Sequence, residues 1–191
     1  MTTATEILRR EHDAILRMLD ATDEVICRLD HGETVEPGIL GGLLEFFRLF
    51  ADQCHHGTEE DLLFPKLQQK GMPREAGPIG VMLLEHDQGR AFVRQMAQGA
   101  EEYARGGTAA AARWTAAASG YAALLREHIY KENNILFVMA ERMLTPQEQE
   151  ELARQFERVE VEKMGAGTHE RLHALMDQLT ASLSRERAAA R

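Results

Sequence analysis

The chain has 191 residues, 44% of them hydrophobic, and sets 31 acidic side chains against 22 basic ones for a net charge of −9. That length buries one sizeable core rather than two, and the acidic balance excludes the basic face that nucleic acid or an anionic membrane would need. With no apolar run near the ~18 residues of a membrane span and no basic-then-apolar leader at the start, a soluble cytoplasmic protein is expected, in which Cys27 and Cys54 stay reduced and take no part in a site.

Ala, Leu, Glu, Arg, Gln and Met dominate and β-branched clusters are missing, the pattern of long helices between short turns. The first helix is predicted over Thr3 to Leu29, ended by Asp30-His31-Gly32. A second opens near Pro37 and carries Ile39, Leu43, Leu44, Phe46, Phe47 and Phe50, with Pro65 as the residue that kinks or ends it. A loop follows from Lys70 to Pro78, a third helix reaches about Ala104, Gly106-Gly107 turns the chain, and a fourth reaches about Met143. Thr145 as N-cap, Pro146 at the first helical position and Glu148 closing a capping box begin a fifth, and Gly165 to Thr168 begin a sixth. The expected fold is all-α, an antiparallel up-down four-helix bundle over residues 1–144 with two further helices over 145–191. These last carry apolar stripes (Leu152, Phe156, Val159; Leu172, Leu175, Met176, Leu179, Leu183) suited to packing on the bundle, covering a site or pairing two copies, and Arg185 to Arg191 should fray.

The order His, then His-x-x-x-Glu, occurs once in each half of the chain: His12 with His56 and Glu60, then His86 with His128 and Glu132. On a helix an i, i+4 pair shares one face and can reach one point. His12 and His56 each lie about 22 residues from the turn near Thr34, and His86 and His128 about 21 from the turn near Gly107, so the six donors fall at one height in an antiparallel bundle. Four imidazoles and two carboxylates favour iron, with manganese or zinc as alternatives, over calcium or magnesium. If Glu60 and Glu132 each bridge two ions, about four of roughly twelve octahedral positions stay open for a bridging oxo or hydroxo group and for solvent, dioxygen, peroxide or nitric oxide.

These segments, including His56-Gly57-Thr58-Glu59-Glu60-Asp61-Leu62-Leu63-Phe64-Pro65 and Leu84-Glu85-His86-Asp87, resemble the hemerythrin-like, or HHE cation-binding, proteins over about residues 6 to 140. The resemblance implies a helical bundle with a non-haem di-iron centre, in which His12, His56, Glu60, His86, His128 and Glu132 match the iron ligands and the two glutamates the bridges. The ferritin-like alternative uses Glu-x-x-His, the reverse polarity. Oxygen carriers of the family have a fifth histidine four residues after the one on the third helix, where this chain has Arg90, which weakens the carrier reading and leaves solvent, an acid or Tyr121 to complete an ion.

Several neighbours read more plainly. His55 should point about 100° away from His56, Glu59 sits off the main face, and Glu11, Asp13, Glu85 and Asp87 are solvated charges or acceptors for imidazole N–H groups. His169 and His173 share i, i+4 spacing but lack a third donor, so a structural role is expected, and Met18, Met82, Met96 and Met139 fill core gaps. Three functions suit the pattern: a sensor or binder of dioxygen, peroxide or nitric oxide; a peroxide-decomposing or nitric-oxide-handling enzyme; and an iron store or metal-stapled interaction protein, in each case as a monomer or homodimer.

Overall fold

Thr3 starts the first helix: its hydroxyl accepts from the Glu6 amide while the Glu6 carboxylate accepts from the Thr3 amide, a reciprocal cap contributing about 1 kcal/mol. The computed structural model describes residues 2–107, 109–159, 165 and 167–189. In it α1 (Ala4–Asp30) stops where Gly32 takes φ +78°, a backbone region open to glycine at little steric cost. The rod α2 is built of Pro37–Phe46, the π-wound segments Phe47–His56 and Glu59–Leu63, and Phe64–Gln69. Then come α3 (Gly77–Ala104), α4 (Ala110–Lys131, π-wound Glu132–Leu136, and Phe137–Met143), α5 (Pro146–Val159) and α6 (Thr168–Ala189). Among the described residues there is no strand, as the composition predicts.

Of the two expectations for Pro65, that it kinks or ends α2, the ending is not met. It stands in the first turn of Phe64–Gln69, directly after a π-wound turn. That turn has already interrupted the i to i−4 hydrogen-bond ladder, so the amide that proline lacks is not missed. The box predicted at Thr145 forms, with Glu148 accepting from the Thr145 amide at 3.0 Å and donating its own amide to the Thr145 hydroxyl at 3.3 Å.

The core falls into two apolar clusters. One holds Ile15, Met18 and Leu19 of α1, Phe46, Phe47 and Phe50 of α2, Val93 and Met96 of α3, and Trp114, Tyr121 and Leu125 of α4. The other holds Leu8, Leu63, Phe64, Leu67, Ile79, Met82, Leu136 and Phe137. The C-terminal helices extend one cluster each: α6 adds Leu172, Met176, Leu179 and Leu183 to the first, and α5 adds Leu152 and Phe156 to the second. Each such side chain contributes about 1.5–3 kcal/mol on full burial. Of the pair read as structural, the half-buried His173 sets its ring edge-on to Phe50, while the His169 side chain lies outside the described residues. Residues 190 and 191 also lie outside them, so the fraying expected for that tail is described only as far as α6, which is helical to Ala189.

Every one of the first four helices passes from one cluster to the other, and at each crossing stands a buried polar side chain. These are His12 on α1, His55, His56 and Glu59 on α2, His86 on α3, and His128 and Glu132 on α4, none more than 3% exposed. A band of ionisable groups inside a dry core is costly unless its members are paired or coordinate a cation.

Candidate metal centre

The four histidines that pair most closely do so nitrogen to nitrogen. His12 Nε2 lies 2.9 Å from His55 Nε2, and His86 Nε2 lies 3.1 Å from His128 Nε2. Their other ring nitrogens are all engaged. His55 Nδ1 donates to Glu11 at 2.7 Å, His86 Nδ1 to Glu60 at 2.7 Å and His128 Nδ1 to Glu85 at 3.0 Å. His12 Nδ1 donates to Asn133 Oδ1 at 2.9 Å, an atom fixed as the oxygen because Arg9 also donates to it. These acceptors place a proton on each Nδ1 and turn every Nε2 inward, where a neutral ring presents its lone pair. Two lone pairs facing at about 3 Å repel unless something positive sits between them. Two nitrogen donors about 2.1 Å from one ion at right angles stand about 3.0 Å apart.

The carboxylates join the two pairs. Glu132 Oε2 lies 3.1 Å from His12 Nε2 in one pair and 3.3 Å from His128 Nε2 in the other. Glu59 Oε2 lies 3.9 Å from His55 Nε2 and 3.6 Å from His86 Nε2. Both side chains are fully buried, and none of their four oxygens has a directed hydrogen bond. Such orphaned acceptors amid inward-facing nitrogens are what a pair of cations would satisfy. His12, His55, Glu59 and Glu132 form one group able to hold an ion, Glu59, His86, His128 and Glu132 a second, and His56, His86 and His128 a third, overlapping group.

Electrostatics of the metal-free pocket show the same need. Burial, and then the facing His12, holds His55 well below its ordinary range, and burial with His86 does the same to His56. Burial and the nearby Glu132 push the Glu59 carboxyl well up. Burial opposes ionisation of Glu132 as well, but His128 and His12 outweigh it and hold that group down. Burial likewise disfavours the His128 cation, yet Glu132 and Glu85 push its pKa up to about 9.

Of the six residues expected from the sequence, His12, His56, His86, His128 and Glu132 lie in the buried band, and Glu60 does not reach it. The Glu60 carboxylate accepts from His86 Nδ1 and from Arg90 Nη2 at 2.7 Å, on the outer side of the ring. Glu59 occupies the inner place, and His55, expected to turn away, faces His12. The cause is the winding of α2: in π turns consecutive residues diverge less around the axis than the α-helical angle assumes, so His55 and His56 both enter the bundle, with ring centroids 5.6 Å apart.

The sequence does contain the signal for this register. Leu63-Phe64 and Leu136-Phe137 stand 73 residues apart, as do His55 and His128, and Glu59 and Glu132; His56 and Glu60 miss their partners by one. The same offset sets Phe137 flat against His12 at 5.4 Å and Phe64 against His86 at 5.9 Å. Arg90 acts as a brace, donating Nε to Asp52 at 2.8 Å and Nη2 to Glu60. Tyr121 is buried edge-on to Phe47. With Asp52, His56 and Arg90 it lines a cavity of about 170 Å³ that reaches from the surface towards the band.

Comparison with known proteins gives a family. Residues 3–140 match the model of the hemerythrin HHE cation binding domain. The chain is similar to the iron-sulfur cluster repair protein YtfE of Salmonella schwarzengrund (strain CVM19633), 32% identical over 143 residues, which cover 70% of this chain and 63% of that protein. An uncharacterized protein of Mycobacterium tuberculosis (strain ATCC 25618 / H37Rv), Rv1995, is 25% identical over 163 residues, 85% of this chain and 63% of its own length. The chain thus spans less than two thirds of the length of these relatives. No solved structure matches. No helix among the described residues is long and apolar enough to cross a membrane.

Proposed function

The chain belongs to the hemerythrin HHE cation-binding family, and from that premise we propose that it is a cytoplasmic di-iron protein that binds or reacts with dioxygen, peroxide or nitric oxide in sensing or in oxidative and nitrosative stress. In this reading residues 1–144 are an up-down four-helix bundle and 145–191 an extension packed on it. His12 and His55 hold one ion, His86 and His128 the other, and Glu59 and Glu132 bridge them. The observation that carries the reading is the inward facing of Nε2 atoms at 2.9 and 3.1 Å, with both carboxylates set between the pairs. The name of the Salmonella relative, an iron-sulfur cluster repair protein, supports an iron-handling and stress-linked role.

Iron held there supplies Lewis acidity and a redox couple to a small ligand. The protein contributes orientation and exclusion of water. Glu11, Glu60, Glu85 and Asn133 fix the four rings by their Nδ1 protons, which also raises the donor strength of each Nε2. Phe64 and Phe137 lie flat against His86 and His12 and exclude water from the band. Four imidazoles and two bridging carboxylates fill about eight of the roughly twelve positions of two octahedral ions, so a small exogenous ligand has room.

The test is metal content and visible absorption of the purified chain, before and after peroxide and nitric oxide. Two irons per chain with ligand-to-metal absorption that changes reversibly support a sensor or binder. Sustained gas evolution from many equivalents of peroxide supports the catalase-like alternative. Two irons inert to both reagents, with a large loss of melting temperature on chelation, leave the storage or stapling alternative. A chain that takes up no iron after anaerobic loading refutes all three.

A further inference from the structure

The cavity beside the buried band is polar on one side of the bundle only. Shifted by the 73 or 74 residues that relate His55 to His128 and Glu11 to Glu85, its lining residues Asp52, His56 and Arg90 correspond to Leu125, Ile129 and Leu16. Those three are packed hydrocarbon in the first apolar cluster. The polar side keeps about 170 Å³ open, room for about five waters.

Three guanidiniums, of Arg48, Arg90 and Arg94, border this space against one carboxylate, that of Asp52. Arg90 is already committed, donating to Asp52 at 2.8 Å, to Glu60 at 2.7 Å and to Asp87 at 3.1 Å. Arg48 and Arg94 are exposed, and neither has an ion pair or hydrogen bond to another described residue. With Arg90 and Asp52 offsetting each other, two unspent cations face one small cavity in a chain of net charge −9. Such an arrangement concentrates anions, and guanidinium forks match the oxygens of an oxyanion.

The buried part of the lining calls for the same kind of ligand. His56 is 3% exposed, and neither of its ring nitrogens has a hydrogen-bond partner. Its Nδ1 stands 3.7 Å from Asp52 Oδ1, too far for a hydrogen bond. A neutral imidazole so placed has an N–H unspent, which is costly unless an acceptor enters the cavity. Tyr121 is 1% exposed, and burial, then Asp52, raises its pKa, so its hydroxyl keeps a proton to donate.

We propose that this cavity is an oxyanion-binding subsite, which takes one anion of the size of nitrite or formate between the Arg48 and Arg94 guanidiniums and the His56 and Tyr121 donors. The subsite needs no metal and stands apart from the di-iron reading. Anionic ligands are gathered beside the band by it, and neutral ones are not.

The test is calorimetric titration of the purified full chain with sodium nitrite and then sodium formate at fixed ionic strength. One anion per chain is expected. Arg48→Gln and Arg94→Gln should each weaken it about 10-fold or more. Gly89→Leu should abolish binding: a Cβ at Gly89 stands 3.5 Å from the Tyr121 ring, an ordinary contact, and the rest of the side chain fills the space. Melting temperatures of the three variants control for folding. No binding of either anion at millimolar concentration overturns the proposal, and so does an affinity that both arginine variants leave unchanged. Binding that disappears when a chelator strips the metals from a chain still helical by circular dichroism assigns the anion to the metal and overturns it too. A chain that holds no metal yet binds the anion upholds the subsite and refutes the di-iron reading.

Discussion

Glu59 and Glu60 are adjacent, equally acidic and opposite in consequence. Glu59→Gln removes the carboxylate that lies 3.9 Å from His55 Nε2 and 3.6 Å from His86 Nε2, so both ions lose a donor at once and occupancy should fall from two per chain to one or fewer. Glu60→Gln leaves every inward atom in place and exchanges only the acceptor behind His86, which the amide oxygen can still serve. Outer-sphere changes of that kind weaken metal binding about 10- to 100-fold, or about 1.4–2.7 kcal/mol, so two ions should remain at saturating metal. The metal-free proteins should behave differently again. There Glu59 is a fully buried carboxyl that burial and Glu132 push towards its protonated form, and an amide that needs no proton to be buried should stabilise the empty fold by about 1 kcal/mol or more, a rise of roughly 2–4 °C for a chain of this size. Metal analysis after dialysis and a melting curve with and without chelator read both effects. Glu60→Gln stripping the ions while Glu59→Gln keeps them would refute the geometry and restore the register expected from spacing alone.

Removing the metals should lower the melting temperature by roughly 8–16 °C, taking about 4 kcal/mol of linkage at a thousandfold excess over Kd and 2–4 °C per kcal/mol; calorimetry with and without chelator checks it, and an unchanged transition rules out a structural contribution. Glu11→Ala and Glu85→Ala, which release His55 Nδ1 and His128 Nδ1, should each weaken one ion about 10- to 100-fold and leave the other nearly untouched, as two-step metal titrations would show. Lys70 first, then the Thr145 amide and Lys66, holds Glu148 down at about 2. Its stabilising contribution is therefore complete above its ordinary pKa of 4.5 and is lost as pH falls towards 2, so the melting temperature of Glu148→Gln should depend less on pH across that window than the wild type does.

Helix number, turns and caps were legible because they depend on local chemistry: Thr3 with Glu6, Pro37, Gly32, and Thr145 with Glu148 each act within four residues. His12, His86, His128 and Glu132 were legible as inward-facing side chains because α-helical spacing holds up to each of them. His55 and Glu59 were not, because reading faces at α-helical angles misassigns the side chains of a π-wound segment, and such winding is decided by what the helix packs against rather than by its composition. The Leu63-Phe64 and Leu136-Phe137 pairs lie beyond the irregular turns, are tied to the core, and so preserve the register that His56 and Glu60 obscure. The outer acceptors Glu11 and Glu85 could be listed but not matched to rings, and Glu60 was read as a bridge, since each of the three finds its ring on a different helix.

In the proposed centre each half of the chain would bring two imidazoles to one ion, yet each half borrows across the middle: His12 rests on Asn133 and faces Glu132, and His86 rests on Glu60 and faces Glu59. On that reading a chain that has made α1 and α2 alone presents only part of the donor set, without His86, His128 or Glu132. Only when α3 and α4 dock would the donor set become complete, so metal retention would report that the chain has finished closing.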